Sequence, residues 1–108
     1  MGKSKENNKK SASENKKELQ QLINCILKDL LGDNELEAFY FHLKVRKNVD
    51  RENIIEKFDE FLSFIKEIFN ALSDQIIIRF IVEIQKKYNV KLHTIEDLLD
   101  FVKRITSS

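Results

Sequence analysis

The chain contains no proline, no tryptophan, two glycines and one cysteine in 108 residues. A β-sandwich or barrel of this size needs a series of tight turns, and turns draw on Gly and Pro for their backbone angles. The scarcity of both favours helices joined by short polar links. A lone Cys25 leaves no intramolecular disulfide and fits a reducing compartment. No apolar run is long enough to span a bilayer, and "MGKSKENNKKSASENKK" lacks the apolar stretch of a signal peptide. The expectation is a soluble, cytoplasmic protein. With a net charge of +1 the molecule also lacks a strong overall field for steering nucleic acid or an acidic substrate.

What is present is apolar residue in quantity. These residues make up 42% of the chain and include eight Phe, enough for the core of one domain. Residues 1–13 are Lys, Asn, Ser and Glu with little to bury, so ordering them would cost backbone entropy without return. They are expected to form a disordered tail, and residues 14–106 a single helical domain. Lys3, Lys5, Lys9, Lys10, Lys16 and Lys17 outnumber Glu6, Glu14 and Glu18. The N-terminal part is therefore positive and the remainder slightly negative.

Helical spacing recurs through the body. Leu19, Leu22, Ile23, Ile26, Leu27, Leu30 and Leu31 follow the i, i+3, i+4 rule. That predicts a helix starting near Ser13 or Glu14 and ending at Gly32, where a left-handed cap is expected. Asp33 is placed to cap a second helix carrying Leu36, Phe39, Tyr40 and Leu43 and ending near Lys47. A third, the longest and most apolar, is expected from about Glu52 to Leu72 through Ile54, Ile55, Phe58, Phe61, Leu62, Ile65, Ile68 and Phe69.

Beyond Ser73 and Asp74, "QIIIRFIVEIQKKY" is rich in β-branched residues and could be read as a buried strand. It is too long for a typical strand and has no second strand to pair with, while Ile77, Phe80, Ile81, Ile84 and Tyr88 keep a helical stripe. A helix is expected. After a loop from Asn89 to His93, Thr94 and Asp97 resemble a capping box opening a last helix with Ile95, Leu98, Leu99, Val102 and Ile105.

Two phrases recur. Leu31, Asp33, Phe39, Leu43, Asn48 and Val49 are echoed in order by Leu72, Asp74, Phe80, Ile84, Asn89 and Val90. Ile55, Glu56, Phe58, Phe61, Leu62 and Ile65 are echoed by Ile95, Glu96, Leu98, Phe101, Val102 and Ile105. A repeat dictates a fold. The expected fold is all-α, a compact bundle of about five helices built from a duplicated helix-loop-helix unit sharing the long third helix, with pseudo-repeats at about 20–62 and 61–103.

The run "LLGDNELEAFYFHL" followed by "IIEKFDEFLSFIKEIFNALSDQIIIRFIVEI" resembles the small helical output-type domains of archaeal signalling proteins. There a Leu-Gly helix end precedes an aromatic-rich helix, and a Phe-centred helix leads into an Ile-rich one. The resemblance spans residues 22–90 and departs at Leu72-Ser73, where the pattern prefers Gly. It implies a stand-alone interaction or regulatory module without catalytic residues. "IVEIQKKYNVKLHTIEDLLDFV" is also similar to the last half of an acyl carrier protein. Carriers need Asp-Ser-Leu at the start of the preceding helix, whereas this chain has Leu72-Ser73-Asp74.

Candidate chemistry is thin. Cys25, His42 and His93 are too dispersed for a metal site. Cys25 is expected to be a small buried residue and the two histidines solvated ones. Glu56, Asp59 and Glu60, and Asp97 with Asp100, sit beside Lys57 and Lys103 without a phosphate loop or triad spacing, so a solvated face explains them better than acid-base catalysis. No cofactor is expected. Lys44, Arg46 and Lys47, and Lys86 and Lys87, could grip phosphates together with the Lys-rich tail, although cations at helix C-termini also stabilise the macrodipole.

The stronger signal is surplus apolar residue. At about 100° per residue, Phe41 and Val45 point roughly opposite Phe39 and Leu43, and Ile78 and Val82 lie off the stripe of their helix. Either those helices are buried all round, or Phe41, Val45, Ile78 and Val82 form a surface that another chain covers. The expected function is a non-catalytic protein–protein interaction or regulatory module that self-associates, with nucleic-acid binding as the alternative.

Overall fold

A computed structural model describes residues 10–107. The greater part of the expected disordered tail, residues 1–9, lies outside the described residues. Among the described residues every regular element is helical: α1 Ala12–Leu31, α2 Asp33–Lys47, α3 Phe58–Phe69, α4 Ser73–Tyr88 and α5 Ile95–Thr106, with 3-10 turns at Arg51–Asn53 and Asn70–Leu72. The segment read as either strand or helix is helical, as α4.

The ends of these helices follow their capping chemistry. Ser11 accepts from the Glu14 amide at 3.1 Å while Glu14 reaches back to the Ser11 amide at 3.0 Å, a reciprocal box that starts α1 slightly ahead of Ser13. Thr94 and Asp97 form the same box before α5, with the Asp97 carboxylate taking the His93 and Thr94 amides at 2.8 and 3.2 Å. Gly32, at φ +85°, donates to the Lys28 carbonyl at 2.9 Å and accepts from the Leu36 amide at 3.0 Å. One residue thus ends α1 and starts α2. Asp33 is the first helical residue, not the cap expected of it, and it contributes its charge next to Lys28 at 3.6 Å.

The long third helix is not one helix. Asp50 donates its amide to the Asn53 side chain at 2.8 Å, and Asn53 donates its own to the Asp50 carbonyl at 2.9 Å. That closes a 3-10 turn, and Lys57 then departs from helical angles at φ −118°, ψ 46° before α3 begins. Asn53 offers the backbone a local alternative, and the β-branched Ile54-Ile55 pair has weak helical preference. Both isoleucines are nevertheless buried. The longest helix is α1, with 20 residues, and α3 has 12.

α1 packs against α5, α2 and α4, and α3 packs against α2 and α4. Leu19, Ile23 and Leu27 of α1, Phe39 and Leu43 of α2, Phe61, Phe64 and Ile65 of α3, Phe80 and Ile84 of α4, and Leu98 of α5 meet in one hydrophobic cluster. Its centre is aromatic. Phe61 lies 6.1 Å from Phe39, 5.6 Å from Phe58 and 6.0 Å from Phe80 between ring centroids. Phe64, absent from the expected stripe, is fully buried and 5.3 Å from Phe39. Leu30, Ile68 and Leu72, assigned to core stripes by spacing, are exposed, while Leu31 and Phe69 beside them pack against the cluster. Two polar anchors close the periphery: the Tyr40 hydroxyl donates to Asn24 Oδ1 at 2.8 Å, and Asn15 Nδ2 donates to the Ile105 carbonyl at 2.8 Å.

Candidate functional site

Because Leu36, Phe39, Tyr40 and Leu43 turn α2 toward the core, the helical period forces Phe41 and Val45 outward. Each is 64% exposed. In α4 the buried set Ile76, Ile77, Phe80 and Ile84 does the same to Ile78 and Val82, which are 56% and 38% exposed. Neither helix is buried all round. The two pairs stand on the outward faces of helices that both pack on α1 and α3. The Phe41 ring is steadied edge-on by His42 at 5.4 Å.

Sequence spacing gave no hint of a neighbouring feature. A groove of about 180 Å³ runs between α2 and α3, lined by Ala38, Phe39 and His42 on one side and Phe64, Ile68 and Phe69 on the other. Its walls are almost wholly apolar. It exists because α3 ends at Phe69 and turns away through Asn70, at φ 48°, which leaves Ile68 without a cover. Exposed Ile68 and the groove continue the apolar character of α2 around one side of that helix.

The cations proposed for phosphate binding are largely engaged. Lys44 pairs with Asp50 at 3.0 Å, while Lys47 and Arg46 converge on Glu67 at 2.7 and 3.5 Å. The Lys47 hydrogen bond is the main reason the Glu67 carboxyl is held below its ordinary range. Arg46 also lies over the Phe64 ring and Lys87 over Tyr88. Lys86 is exposed at the end of α4. These contacts tie α2 to α3 and orient the basic ends along their own helices.

Cys25 is exposed, not buried as expected, since it falls between the inward-facing pairs Leu22–Ile23 and Ile26–Leu27 on the opposite side of α1. His42 and His93 are exposed. Among the described residues no three His, Cys, Asp or Glu side chains are grouped so as to hold a metal ion, and no helix is long and apolar enough to cross a membrane. A cleft of about 480 Å³ lies where α1, α3 and α5 meet and is crossed by the Lys16–Glu56 pair at 3.0 Å. It brings together acids and lysines without a nucleophile and base in hydrogen-bond reach. The chain matches no protein-family model, no curated protein and no solved structure.

Proposed function

We propose that this protein is a non-catalytic protein–protein interaction or regulatory module that self-associates through apolar side chains on the outward faces of its helices. One observation carries the reading: Phe41, Val45, Ile78 and Val82 are all large, apolar and exposed on helices whose other faces close the core. Burying such a side chain is worth roughly 1.5–3 kcal/mol, a gain that a second chain could supply. Duplication of an ancestral helix-loop-helix accounts for the paired placement. Asn48 and Asn89 both end their helices in the left-handed conformation, and each is followed by a Val turned toward the core. The resemblance to helical output-type domains of signalling proteins points the same way.

Light scattering at about 100 μM tests the reading. The wild type is expected to be larger than a monomer, and Phe41→Lys and Val82→Lys to keep full helical circular dichroism. At least one of them, the one within the self-association face, lowers the mass. A monomeric wild type, with either Lys variant unfolded, would sink the proposal.

A further inference from the structure

We propose that α2 is the self-association element and that it pairs antiparallel with the α2 of a second copy about a two-fold axis near Phe41. This rests on the self-association reading above and assigns it a face, a direction and a register.

On the face of α2 opposite its core residues, Asn34, Ala38, Phe41 and Val45 recur every three or four positions, with the capping Asn48 just beyond, and all are exposed. That is a continuous stripe for helix–helix contact. Its apolar members are central and its ends are amides. Ala38 is small enough to let a second helix approach to the roughly 8–10 Å typical of packed helices.

Charge then selects the direction. The first half of α2 carries Asp33, Glu35 and Glu37, and its last half Lys44, Arg46 and Lys47. Parallel pairing would set acid on acid and base on base. Antiparallel pairing sets each half against its opposite, so the surface is complementary to itself, as a two-fold interface must be. Glu37 and Lys44 lie two turns apart on the same flank of the stripe. In an antiparallel pair, residues on the same flank face each other, which brings Glu37 of each copy to Lys44 of the other. Both side chains are exposed, at 70% and 52%, and each has a surface partner in its own chain, Arg51 at 3.3 Å for Glu37 and Asp50 at 3.0 Å for Lys44, so the contact across the pair extends these ion pairs.

The same polarity compensates the helix dipole, but the dipole has no use for Phe41 and Val45 between the two charged ends. The outward face of α4 carries a thinner arrangement. Asp74 and Lys86 bracket Ile78 and Val82 from opposite flanks, and no acid and base two turns apart share a flank beside them. It stays open in the dimer.

The test is a charge exchange read by sedimentation equilibrium at low salt, with circular dichroism as the folding control. Glu37→Lys and Lys44→Glu each introduce two like-charge contacts and are expected to weaken the dimer, on the order of tenfold in Kd. Mixing the two variants restores dimers, as heterodimers, because each charge then meets its opposite. The double variant Glu37→Lys/Lys44→Glu self-associates like the wild type. Phe41→Lys yields folded monomer and Ile78→Lys leaves the dimer unchanged. A wild type that is monomeric overturns the pairing together with self-association. A dimer indifferent to both charge variants, or one dissociated by Ile78→Lys and not by Phe41→Lys, overturns the α2 pairing and leaves self-association standing.

Discussion

Replacing Phe61 by Ala should be the most damaging single truncation of this protein. Phe61 is fully buried, and its ring contacts Phe39 on α2, Phe58 on α3 and Phe80 on α4. It is the one side chain that joins the aromatic residues of three helices. Loss of a buried Phe costs about 3–5 kcal/mol through lost transfer energy and the cavity left behind. The upper half of that range is expected here, because three aromatic neighbours on separate helices cannot all collapse into the space. Total stability for a domain of this size is about 5–15 kcal/mol, so the loss removes between about a quarter and all of it.

In urea, with a slope of about 1–3 kcal/mol/M, the midpoint should fall by roughly 1.3–5 M. Two controls fix the scale in dilute protein, where the proposed self-association would not contribute. Phe69 is half-buried and stacks on Phe39 at 6.1 Å from the rim, so Phe69→Ala should cost about 1–2 kcal/mol. Phe41 is mostly exposed, and Phe41→Ala should stay within about 0.5 kcal/mol. If Phe61→Ala shifts the midpoint no more than Phe69→Ala at an unchanged slope, Phe61 is not the hub and the packing argument fails.

Further outcomes follow from the surface and the caps. Phe41→Lys should dissociate the protein in light scattering while its far-ultraviolet spectrum stays that of the wild type; loss of helix would place Phe41 in the core. The Asp97 carboxyl is held below its ordinary range, first by the His93 amide and then by the Thr94 amide. A depressed folded value contributes stability above the unfolded carboxylate value of about 4 and loses it as pH falls through and below that region. Thermal melts between pH 6 and 2 should therefore fall less steeply for Asp97→Asn than for the wild type; parallel slopes would refute the cap's role. Burial pushes the Tyr40 hydroxyl up to about 12. A raised folded value favours the native state below the unfolded value of about 10, and this contribution fades as pH climbs from there toward 12. Phenolate absorbance should lag that of the denatured chain over this interval, and coincident titration curves would contradict the burial of Tyr40.

The helical class, the position of α4 and the box at Thr94 were legible because each is a local matter of period and cap. So was the outward aim of Phe41 and Val45, which follows from the angle between them and Phe39. Continuity was not legible. Ile54 and Ile55 hold the spacing of the α3 stripe across the break at Lys57, because buried residues can keep one face inward through a turn as well as through a helix. Cys25 was misplaced because the preference of cysteine for burial competes with the helical period, and the period, which sets it between two inward-facing pairs, prevails. The groove between α2 and α3 could not be read at all. It depends on where α3 stops relative to α2, a distance between helices that no periodicity encodes.

The link between α1 and α2 selects for handedness and not for size. A methyl group added at Gly32 would meet no atom within 4 Å, so there is room for a side chain. Yet φ +85° with ψ 170° lies in territory that is essentially closed to L-residues and costs of order 1–3 kcal/mol when they are forced into it. Its mirror image is ordinary extended backbone. A D-alanine would therefore adopt these backbone angles without strain and would narrow the unfolded ensemble that glycine leaves wide. The genetic code offers no such residue, and glycine, the only achiral one, is what ribosomal synthesis can place at a corner shaped for the opposite configuration.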